Sequence, residues 1–147
     1  MILWGLKTIA FLDVWTLEHI LSGISVGSLV KKKHKKSLLP HIFEKKQDAI
    51  LKYADIMVVL LVAFAWEALE HYLEMGIAGD RVAYWFQGVE HWSNRLISDP
   101  LMLVLGYMIA KKYPKVVLPA RIFSIIWLVV HVFIFPHSMY LHELLGI

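Results

Sequence analysis

Cysteine is absent from the chain, which excludes disulfides, thiolate metal sites and cysteine nucleophiles. Any metal must therefore be held by histidine, carboxylate or amide groups. Phosphate-binding glycine loops are missing too, as are His-Glu-x-x-His and Gly-x-Ser-x-Gly. No basic stripe interleaved with aromatics suggests a nucleic-acid surface. No small-residue cleavage pattern precedes Lys31, and the positive charge follows the first apolar run, so that run reads as retained and not as a signal peptide.

What is present is oil. Of the 147 residues, 59% are hydrophobic, against about 45–50% in soluble domains, and the mean hydropathy is +0.60. At about 20 residues per span, this length accommodates about four membrane-crossing helices and no separate soluble domain. The expected fold is all-α: a polytopic membrane protein built as a four-transmembrane-helix bundle with short loops, in a single domain over 1–147. Spans are expected at about 2–30, 53–75, 83–110 and 116–136.

Charge sets an orientation for that expectation. The basic pI near 9.1 comes mostly from Lys31, Lys32, Lys33, Lys35, Lys36, Lys45, Lys46 and Lys52, and from Lys111, Lys112, Lys115 and Arg121. The positive-inside rule puts the Lys-rich 31–52 loop and the third loop in the cytoplasm. The chain then lies in the inner (plasma) membrane with both termini non-cytoplasmic, and the Lys31–Lys36 cluster is suited to anionic lipid headgroups. Gly23 and Gly27 form a small-xxx-small seam on the first helix. The segment from His41 to Lys52 reads as a short interfacial helix. Gly76, Gly79 and Asp80 mark a turn, and Pro100 predicts a kink near Leu96.

Against this apolar background stand Glu18-His19, Glu70-His71 and Glu90-His91. Ionisable groups in hydrocarbon are costly and mark functional sites. Glu67, Glu70, His71 and Glu74 follow i, i+3, i+4, i+7 spacing and share one arc of about 100°; Glu74, nearest the interface, reads as solvated. Glu90, Asn94 and Ser98 share a face of the next helix, and Arg95 with Asp99 reads as an i, i+4 ion pair. Asp13 and His131 fall at similar depth, with Glu18, His19 and Asp99 nearer the middle. His137, His142 and Glu143 follow Pro136 in a tail.

If Arg95 neutralises Asp99, then Asp13, Glu18, Glu67, Glu70 and Glu90 have no permanently cationic partner. Protonation, a water-filled path or a bound cation must compensate. Carboxylates with neutral imidazole suit iron, manganese or zinc. Candidate metal ligands are therefore Glu67, Glu70, His71, Glu90 and His91, assisted by Asp13, His19 or His131, with Glu67 and Glu18 as the catalytic carboxylates that move protons. Dinuclear carboxylate bundles use Glu-x-x-His, a spacing that Glu67-x-x-x-His71 and the adjacent Glu-His pairs do not reproduce.

Four functions fit these residues. One is a membrane-bound metal-dependent oxidoreductase acting on a lipid-soluble substrate or dioxygen. The runner-up is a proton- or cation-translocating module, working as an oligomer or with a partner. A haem b electron carrier would use His19, His71, His91 and His131, but leaves the acids unexplained. The last is an accessory subunit of a larger membrane complex.

Overall fold

The computed structural model describes residues 2–34, 47–86 and 88–134. Its N-terminal stretch is not helical. Ile2–Trp4 (β1) and Ala10–Leu12 (β2) pair in parallel, Ile2 opposite Ala10 and Trp4 opposite Leu12. The turn between them is closed by the Ile9 and Ala10 amides, which donate to the Leu6 carbonyl at 3.0 and 2.9 Å.

Helix α1, Thr16–His34, starts late because Asp13 caps it. The Asp13 carboxylate accepts from the amides of Trp15 (2.7 Å) and Thr16 (3.1 Å), while the Thr16 hydroxyl accepts from the Asp13 amide at 2.9 Å. This is a reciprocal capping box, which fixes a helix start by satisfying otherwise orphaned amides. Helix α2 is Gln47–Glu74. It ends in a turn where Gly76 and Gly79 take φ of +83° and +100°, backbone geometry that a Cβ disfavours.

The expected third helix is interrupted. Asp80–Phe86 (α3) is followed by a break at Gly88, with φ +102°. A π-helical turn, Asn94–Ser98, then leads into α4, Asp99–Lys112. The turn spans Leu96, where Pro100 removes the regular hydrogen bond, and π turns accommodate an extra residue at such points. A 3₁₀ turn, Pro114–Val116, precedes α5, Val117–Val129, which runs into a second π turn, Val130–Ile134.

The four-span bundle is therefore corrected. Among the described residues one helical segment, Tyr53–Glu74, is long and apolar enough to cross a membrane, with mean hydropathy 1.7 over its window. The first apolar run is divided between strands and a capped helix, and the third is broken at Gly88. Helices α4 and α5 have 14 and 13 residues, about 20 Å of rise against a hydrocarbon core of about 30 Å. The His41–Lys52 segment is helical from Gln47; residues 41–46 and the tail with His137, His142 and Glu143 lie outside the described residues.

Helix α1 packs chiefly on α4, and glycine makes the contact possible. A Cβ at Gly23 would stand 2.1 Å from the Leu103 carbonyl oxygen, and one at Gly106 would stand 2.1 Å from that of Ile20. Only backbone without side chains can approach so closely. Helix α2 joins through Val59 and Ala63, packed on Leu103 and Tyr107, and Tyr107 donates to Asp55 at 2.9 Å. A second cluster, Ile24, Ala110 and Ala120, ties α5 to α1 and α4. Small residues, Gly23, Gly106, Ala63, Ala110 and Ala120, recur in these seams and draw the four helices together.

Polarity is inverted about this framework. Among the described residues the buried set is dominated by polar and charged side chains. Large apolar residues such as Leu61, Phe123, Ile125 and Phe133 are exposed, the last by 75%.

Candidate metal centre

The close α1–α4 approach places His19, one turn before Gly23, beside Asp99, near the start of α4. His19 Nε2 lies 3.3 Å from Asp99 Oδ2. Glu67 on α2, one turn beyond the packed Ala63, brings Oε1 to 3.8 Å from His19 Nδ1. One donor atom from each of the three residues lies within 4.8 Å of the others. All three are buried, Glu67 at 2% exposure and Asp99 at 1%. None of the four carboxylate oxygens accepts a hydrogen bond.

Buried carboxylates without donors are expensive, because desolvation is not repaid. Burial pushes the Asp99 carboxyl well above the ordinary carboxylate range, and repulsion from Glu90 and Asp13 adds to it. Burial pushes the His19 imidazole down to about 4, so the ring is neutral near pH 7. A neutral imidazole with a lone pair is the form that binds metal. The site thus presents a neutral imidazole and two carboxyl groups without a hydrogen-bond donor, with Arg95 Nε standing 4.0 Å from Glu67 Oε2 on its edge.

A second cluster lies alongside, built around Arg95 in the π turn. Its NH2 group pairs with Glu74 Oε2 in a very short contact and lies 3.6 Å from Glu90 Oε2, while Nε stands 4.0 Å from Glu67 Oε2. Arg95 NH1 donates to His71 Nδ1 at 3.0 Å. Lys7, from the turn between β1 and β2, donates to Glu74 Oε1 at 2.5 Å, and the Glu90 amide donates to Glu74 Oε2 at 3.2 Å. The His91 amide holds the Lys7 carbonyl at 2.9 Å, which fixes the turn against the helices. Burial, then repulsion from Glu70 and Glu67, raises the Glu90 carboxyl.

The remaining candidates are not among the three converging donors. Asp13 caps α1 and accepts from Asn94 Nδ2 at 3.0 Å; burial raises its carboxyl against the pull of the Trp15 and Thr16 amides. Glu18 accepts from the hydroxyls of Ser124 and Ser22, and burial raises it despite both bonds. Glu70 and His91 are half-buried, and His91 Nδ1 lies 2.8 Å from the Ser93 hydroxyl. His131 stacks on Trp127, with ring centres 4.2 Å apart, and meets the edge of Trp15. Its Nδ1 donates to the Trp127 carbonyl at 2.8 Å, and burial holds its pKa down.

Two assignments from the sequence change here. Arg95 bonds Glu74 instead of Asp99: in the wider π turn positions four apart no longer lie one above the other, so Asp99 leaves the Arg95 face. Glu74 is buried, not solvated, since Lys7 folds over it. Asp99 is the ligand candidate that sequence reasoning missed; its place directly before Pro100 was the available signal. The comparisons add no relative: no protein-family model, curated protein or solved structure matches the chain.

Proposed function

We propose that His19, Glu67 and Asp99 hold a transition metal and that the protein is a membrane-embedded metalloprotein, working as a metal-dependent oxidoreductase on a lipid-soluble substrate or dioxygen. The carrying observation is a buried imidazole approached by one oxygen of Glu67 and one of Asp99, two buried carboxyl groups that accept no hydrogen bond. One nitrogen and two carboxylates suit iron, manganese or zinc. Three donors leave coordination positions open for substrate, as catalytic sites do. Bound there, the metal supplies Lewis acidity or electron transfer.

The chain's own residues do the rest. Arg95 holds Glu67 from the side away from His19. Glu90, beside Arg95, is a buried carboxyl able to carry a proton to or from the site. The exposed apolar faces and the Tyr53–Glu74 helix support immersion in lipid. Ligands would need to approach by about an ångström, since donors on one metal stand about 3–3.5 Å apart.

Metal analysis of the purified full-length protein tests the reading. About one equivalent of iron, manganese or zinc per chain is expected, lost in Asp99→Asn and in Glu67→Gln. Protein that folds without metal, and is unchanged by either substitution, would refute it. Ion translocation is the second reading, favoured by the buried Glu18 Oε2 and Glu90 Oε2, which have no hydrogen-bond partner. Proton flux in liposomes that persists in metal-free protein would select it.

A further inference from the structure

Glu67 faces two ways. Its Oε1 points to His19 and its Oε2 to Arg95, the attitude of a carboxylate bridging two cations. Around the Arg95 guanidinium stand Glu67, Glu74, Glu90 and His71, three carboxylates and an imidazole, which are again transition-metal donors. Glu90 Oε2 and both Glu67 oxygens have no hydrogen-bond partner, and their residues are 6% and 2% exposed. Arg95 Nε is likewise without an acceptor. The guanidinium therefore supplies charge to this nest without meeting its geometry. Lys7 adds a second positive charge on the other Glu74 oxygen, so two monovalent groups together match one divalent ion.

We infer that Arg95 occupies a second divalent-metal site, so that the centre holds one metal with Glu67 shared between that metal and the arginine. Removing the guanidinium opens the second site. The inference rests on the metal reading above and adds to it the number of ions bound. It also separates this protein from dinuclear carboxylate bundles, in which metal fills both positions.

Full-length protein in detergent is loaded with Mn(II), its metal counted by elemental analysis and its coupling followed by electron paramagnetic resonance. Wild type is expected to bind one ion with an uncoupled spectrum, and Arg95→Gln two ions with a coupled one. A purely structural arginine would give loss of metal or of fold, never a gain. If Arg95→Gln does not fold, Arg95→Met, which keeps the length of the side chain without its charge and leaves all four donors in place, is expected to show the same gain. If neither folds, the wild-type count decides. Two ions in wild type, or one ion in a folded variant, overturns the inference and leaves the metal reading standing. No ion in wild type removes both.

Discussion

Two neighbouring clusters of buried charge treat their carboxylates in opposite ways. Around Glu74 each oxygen is met: Lys7 and Arg95 take one each, and the Glu90 amide joins the second. Around Glu67 and Asp99, a few ångströms away, no oxygen accepts a hydrogen bond. Glu74 itself is satisfied by the chain as it stands, and Glu67 and Asp99 are not. On the metal reading proposed above, the deficit at Glu67 and Asp99 is what a bound cation would make good.

Breaking the contacts of Glu74 has the largest expected effect. Glu74→Ala strands Lys7 and Arg95 without their shared partner, and removal of one member of a buried pair costs about 3–5 kcal/mol. Thermal unfolding in detergent should register a large fall. Next is the scaffold: Gly106→Ala drives a methyl into the Ile20 carbonyl, separates α1 from α4 and pulls His19 from Asp99. Overpacking of this kind costs about 1–3 kcal/mol, and metal content should fall with it.

At Asp99 the sign reverses. Asp99→Asn should leave metal-free stability unchanged or improved, since it removes a desolvated carboxyl, while abolishing metal binding. Calorimetry without metal, paired with metal analysis, separates the two effects.

pH sharpens the same contrast. Asp99 and Glu90 are raised in the folded protein, so the native state keeps protons that the unfolded chain releases. The contribution of these two groups to metal-free stability is therefore greatest in acid and declines as pH rises above the ordinary carboxylate range, while His19, held down to about 4, works in the opposite sense below the ordinary imidazole range. Asp99→Asn should flatten that decline. Metal affinity runs the other way and strengthens with pH, because binding expels those protons. The smallest effect is expected from Ser124→Ala, about 1 kcal/mol, since Glu18 keeps the Ser22 hydroxyl.

Part of this was legible in the residues. Acids and histidines from separate helices were expected to meet in one layer, and Glu67 and His19 do approach each other. The helices carrying them were misjudged because hydropathy does not register caps. The Asp13–Thr16 box, readable as Asp-x-x-Thr, starts α1 well after the apolar run begins, and Gly88 at positive φ stops a helix that composition would continue. The Arg95–Asp99 spacing assumed an α-helix where a π turn intervenes. Lys7 was invisible as a partner because only the parallel β1–β2 pairing swings it over Glu74, a contact between positions 67 residues apart.

X-ray absorption at the metal edge, on purified wild type and Asp99→Asn, tests the central claim most directly. The account predicts a shell of nitrogen and oxygen only, with scattering from one imidazole, and its disappearance in the variant. An empty wild-type protein, or a shell that survives the substitution, would contradict it.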